Sequence, residues 1–153
     1  MRSTLAALGT CLVVVAGCGG DDDANGDDEA AEQFRAQANA VCADFGEKIR
    51  SIPPPLEEDD EWGAIAADIG DLLETGVNEL RLLEPPEELA AEYEEWLVLK
   101  ERSLGATRDL QRGGTMHADA LIEESLATIE ETEAEADALA EDLGLADCAS
   151  SDR

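Results

Sequence analysis

From about residue 30 to residue 143, apolar side chains recur at three and four positions. No stretch alternates with the period of two that a half-buried strand requires. That pattern restricts the chain to helices packed on helices. Phe34, Ala38, Val41, Phe45, Ile49 and Ile52 predict a first helix over roughly 29–51. Pro53, Pro54 and Pro55 end it, because proline lacks the amide proton and disfavours helix at the preceding residue. Trp62, Ile65, Ile69, Leu72, Leu73, Val77, Leu80 and Leu83 predict a second over 58–83. Pro85 and Pro86 interrupt the chain again, and Leu89, Tyr93, Trp96, Leu97, Leu104, Thr107 and Leu110 predict a third to about 111. Gly113 and Gly114 read as the next break, with Thr115 as an N-cap. A fourth helix over 115–143 carries Met116, Ala120, Ile122, Leu126, Ile129, Ala136, Leu139 and Leu143, and Gly144 sits where a C′ glycine belongs. Short connections make successive helices antiparallel. The expectation is an all-α, up-down four-helix bundle.

Composition narrows the function. The 153 residues carry a net charge of −28 with 10 Lys and Arg. Nucleic-acid binding requires a basic face, so it is excluded as an expectation. Aromatics are 3% of the chain, so the core must be mostly aliphatic. At 44% apolar content the chain has enough to bury one.

The first 30 residues follow another logic. Arg2 precedes an apolar run from Leu5 to Ala16, too short to span a bilayer, which takes roughly 20 residues. The run ends Val15-Ala16-Gly17-Cys18, which resembles the lipobox of bacterial lipoproteins. The resemblance implies that residues 1–17 are a signal peptide and that Cys18 becomes the first mature residue. It also implies that the Cys18 thiol carries a diacylglycerol. Two acyl chains suit an anchor, since one gives only marginal binding. Removing 1–17 takes Arg2 and no acid, leaving 9 bases against 38 acids, or −29. Residues 18–30, with GGDDDANGDDEA after the cysteine, are too polar to bury and read as a disordered acidic tether. The bundle domain is then 31–149, with 150–153 as a disordered tail.

Within the tether, Asp21, Asp23, Asn25, Gly26 and Glu32 match the spacing of a calcium-binding EF-hand loop. The match is weak. Asp28 stands where an aliphatic residue belongs, and no helix precedes the loop. A solvated tether is the preferred reading.

Two cysteines remain, Cys42 in the first helix and Cys148 after the fourth. In an exported chain they read as a disulfide, closing a loop of about 105 residues. The alternative is two free buried thiols. The chain also resembles small helical lipoproteins of Gram-positive type. That resemblance rests on "ANAVC" at 38–42, "IPPP" at 52–55, "PPEELAAEYEEWL" at 85–97 and "LGLADC" at 143–148. It implies the fold and the disulfide, and no activity.

No residue pattern indicates a reaction. His117 is the only histidine, so paired Glu-x-x-His motifs are absent, and it has no recognisable Ser partner in a turn motif. No cofactor and no catalytic residue are expected, and Met116-His117 reads as a helix start. Trp62, Tyr93 and Trp96 are either core or the lining of a small apolar pocket between the second and third helices. From Gly113 to Asp152 there are twelve Asp and Glu and no Lys or Arg, so the fourth helix has no internal ion pairs. The lipobox resemblance implies an extracytoplasmic protein anchored to the cell membrane through Cys18. Its activity is expected to be binding of a protein or cell-wall partner. The alternative is a cation or small-ligand carrier using the acidic surface or a bundle cavity.

Overall fold

The computed structural model describes residues 23–53 and 62–149, as four α-helices and a short 3₁₀ turn. They are α1 (Asp23–Arg50), α2 (Trp62–Leu80), α3 (Glu87–Met116) and α4 (Asp119–Leu143), with the 3₁₀ turn at Ala146–Cys148. The all-α four-helix bundle is what the periodicity predicts. α3 is central: its 30 residues, about 45 Å of helix, pack along both α2 and α4. α1 leans on α2 and on the 3₁₀ turn.

Helix α1 begins six residues before the expected start. Residues 23–30 of the expected tether are helical, although the side chains of 27–30 are exposed and Ala31 is buried. The acids Asp27, Asp28 and Glu29 lie near the positive end of the helix dipole, and packing of Ala31 and Phe34 supports the turns before them. These eight residues rise about 12 Å as helix, against about 26 Å extended. The expected signal peptide, Cys18 and the rest of the expected tether, like the expected tail 150–153, lie outside the described residues.

The largest difference falls at the glycine pair. Gly113 and Gly114 do not break the chain. α3 continues through both to Met116, and α4 starts at Asp119. Thr115 is not an N-cap; its hydroxyl donates to the Gln111 carbonyl oxygen, 2.9 Å away inside α3. A Cβ on Gly113 would stand 3.0 Å from Ile122 Cγ1 and 3.2 Å from the Ile122 amide nitrogen. The glycine is there to let α4 approach. The turn is made by His117, in the left-handed region at φ 51°. The His117 amide donates to the Gly114 carbonyl and the Ala118 amide to that of Gly113, a Schellman closure with histidine in the glycine position. At the end of α4 the same closure is made by Gly144, as expected, at φ 76°. The following residue, Leu145, is fully buried. Met116, expected on a buried stripe, is exposed.

The core gathers at one end of the bundle. Phe34, Tyr93, Trp96, Ala140, Leu143, Leu145 and Cys148 form one buried cluster where α4 ends against α1. Cys42 and Cys148 are disulfide-bonded with Cα atoms 5.0 Å apart. Around the bridge, Arg35 Nε donates to the Leu143 carbonyl (2.8 Å) and Asn39 Nδ2 to that of Gly144 (3.2 Å). Asn39 Oδ1 accepts from the Asp147 amide (2.9 Å). These bonds satisfy carbonyls that a helix end leaves open.

The inner face of α4 contains a polar weakness. Thr132 is fully buried, and its hydroxyl has no hydrogen-bond partner among the described residues. An unmet buried hydroxyl costs about 1–3 kcal/mol. Thr132→Val keeps the shape and is expected to raise unfolding stability by about 1 kcal/mol. Urea denaturation checks this, and a destabilised variant would mean that the hydroxyl has a partner.

Candidate functional site

The expected site residues separate. Tyr93 and Trp96 are core. Phe34 meets the Tyr93 ring edge-on at 4.8 Å, and Tyr93 stacks on Trp96 at 5.6 Å. The Tyr93 hydroxyl donates to the Leu80 carbonyl, 2.8 Å away at the end of α2. The pair is therefore a cluster that ties α1, α2 and α3 together. Trp62 opens α2, and its side chain lies outside the described part. The calcium-loop match is not a loop where it is described: Asp23, Asn25, Gly26 and Glu32 lie in one continuous helix, which does not wrap its side chains around a cation. Asp21 lies outside the described residues. Among the described residues no three His, Cys, Asp or Glu side chains come together as metal ligands.

Burial pushes the Tyr93 phenol above its ordinary value of 10.0. The folded state therefore holds this proton more tightly than the unfolded chain. Its contribution to stability is complete below about pH 10 and is lost as pH rises from there toward the folded-state value. Unfolding free energy is expected to fall between about pH 9 and pH 11, and to fall less in Tyr93→Phe. At neutral pH that variant loses about 1 kcal/mol with its Leu80 bond. Since Tyr93 is the only tyrosine, absorbance of the tyrosinate reports it directly. Titration near the free value in the folded protein would refute the assignment.

The site that does stand out runs from Lys100, beside the disulfide-end cluster, into the other half of the bundle. There a half-open cavity of about 340 Å³ lies between the helices. α2 supplies Ile65, Ala66, Ile69 and Leu73, and α4 supplies Leu126 and Ile129. Ile49 of α1 closes one side, and Leu110 of α3 adds a further apolar wall. The cavity has a physical origin. The disulfide and the Arg35 and Asn39 bonds draw α1 onto the end of α4. Farther along, α1 leans on α2 instead of lying along α4.

Its polar groups are few and all come from α3 and α4. Lys100 Nζ donates to Glu133 Oε2 at 2.7 Å, with the two side chains only 12% and 22% exposed. Lys100 also stands 5.9 Å from the centre of the Trp96 ring. Ser103 and Thr107 are buried beside it, the Thr107 hydroxyl donating to the Ser103 carbonyl. The other cations of α3 act outside the cavity. Arg108 reaches Glu74 of α2 at 2.6 Å, and Arg102 reaches Glu131 of α4 at 3.8 Å. These exposed pairs are worth little individually. They do show how the acidic α4 is partly answered, by a neighbour helix that carries the bases.

A line in the sequence foretold only part of this cavity. Ile65, Ile69 and Ile129 appear on the predicted stripes as core, and the period gives no sign that the stripes fail to meet. Lys100 and Glu133 are 33 residues apart, and no local pattern connects them.

Fold and site together define a disulfide-tied four-helix protein with an apolar cavity edged by one ion pair. Searches against protein-family models, characterised proteins and solved structures return no match. Among the described residues no helix is long and apolar enough to cross a membrane.

Proposed function

We propose that this protein is a lipid-anchored, extracytoplasmic binding protein that holds a small, mainly apolar ligand in the α2–α3–α4 cavity. The cavity carries the reading: it falls in the size range of small-molecule sites, is mostly hydrophobic, and has a few convergent polar groups. The anchoring rests on the apolar run and Val15-Ala16-Gly17-Cys18. A protein partner has less behind it, because exposed large apolar side chains are spread out. Val98 and Met116, for example, are separated by about 27 Å along α3.

The test is uptake of the uncharged dye N-phenylnaphthylamine, whose fluorescence rises in apolar surroundings. The full chain is expected to bind about one equivalent in the cavity. Ala66→Leu, which fills the cavity wall, is expected to lose most of the signal with helix content unchanged by circular dichroism. A folded chain that takes up no dye, or an Ala66→Leu variant that takes up as much, would sink the reading.

A further inference from the structure

We infer that the cavity selects an uncharged single-chain amphiphile whose head carries a hydroxyl, read by the Lys100–Glu133 pair. The inference rests on the cavity being a ligand site. Size sets the tail. A cavity of about 150 Å³ holds benzene, so about 340 Å³ takes an apolar chain of about ten carbons. Charge sets the head. The pair is neutral as it stands, and Lys100 is the only cation and Glu133 the only anion on the cavity wall. An anionic head drawing Lys100 away would leave Glu133 unpaired in an apolar site, and would approach against the field of a chain at −28. A cationic head on Glu133 would leave Lys100 unpaired in the same way.

A hydroxyl avoids both costs. An ammonium has three donors, and the described residues give Lys100 one hydrogen-bond acceptor, Glu133 Oε2. A carboxylate accepts at both oxygens, and Glu133 Oε2 is the one that Lys100 uses. One hydroxyl oxygen accepts from Lys100 while its proton goes to Glu133, and the ion pair stays intact. Thr107 already donates its proton to the Ser103 carbonyl, so toward the head it can act only as an acceptor.

The chain carries its own reporters. Of six isoleucines, Ile49, Ile65, Ile69 and Ile129 line the cavity and Ile52 and Ile122 do not. With methyl-labelled isoleucine in the full chain, 1-decanol is titrated below its solubility limit, and decanoate and decyltrimethylammonium separately below their micelle concentrations. Decanol is expected to shift the four lining methyls and to bind at least about tenfold more tightly than either ion. In Lys100→Gln/Glu133→Gln that preference over the ions should collapse, with helix content unchanged by circular dichroism. Ions that bind as tightly as decanol, or a preference that survives in the double variant, would overturn the head assignment while dye uptake kept the cavity reading. Decanol shifts confined to Ile52 and Ile122 would overturn the site. Absence of both dye and decanol binding would remove the cavity reading itself.

Discussion

Replacing both Cys42 and Cys148 with alanine is expected to cost about 4–5 kcal/mol of stability, the value for releasing a closed loop of about 105 residues in the chain-entropy model. For a domain of this size that lowers the melting temperature by about 10–20 °C. The loss should be uneven. α3 keeps its contacts with α2 and α4, whereas α1 keeps α2 and the Arg35 and Asn39 bonds. Helix content at room temperature should therefore change little. Amide exchange in α1 should accelerate far more than in α3, because opening α1 no longer works against the bridge. Thermal unfolding and site-resolved hydrogen exchange together check this. A melting temperature within about 2 °C of the parent would show that the bridge adds nothing to packing already sufficient.

Cys18→Ala is expected to abolish membrane association. Without the thiol no diacylglycerol is attached, and two buried acyl chains at about 0.8 kcal/mol per methylene leave nothing of comparable strength behind. A chain cut before Cys18, at −29, would be repelled by anionic lipid and have no electrostatic means of staying. The variant should either keep its apolar leader or be cut elsewhere and appear in the medium. Fractionation of cells, with intact mass spectrometry of the parent, decides the matter. A mature parent protein with no acyl mass on Cys18 would refute the anchor, and the extracytoplasmic address argued from it would lose its main support.

The two predictions act at opposite ends of one mechanical arrangement. The proposed anchor precedes α1, and α1 is the helix most dependent on a covalent tie. Its first eight residues are helical, so the distance between the proposed anchor and the bundle is shorter than a wholly extended tether would give.

Helix number, order and approximate bounds follow from rules that act within a few residues. Apolar residues at three and four define a face, and the proline runs at 53–55 and 85–86 remove the amides a helix needs. Gly144 works by the same kind of rule, because a left-handed residue ends a helix wherever it occurs. The pairing of Cys42 with Cys148 also follows once the chain is taken as exported, since two cysteines leave one partner each. Gly113 shows where such rules stop. Locally it weakens a helix, yet α3 runs through it because the close approach of Ile122 from α4 needs a position without a Cβ. The turn then falls on His117, a residue that local preference would not choose for φ 51°. Tyr93 and Trp96 are a second case: an aromatic on a helical stripe reads equally as core or as pocket lining, and only the arrival of Phe34 from α1 makes them core. The cavity belongs wholly to the tertiary level. Ile69 and Ile129 carry the same signal as residues that do meet, and whether they meet depends on where α1 lies. That is set by the disulfide and by Arg35 and Asn39 reaching across more than 100 residues of chain to the end of α4. A space between helices is a property of several axes at once, and no stretch of one helix encodes it.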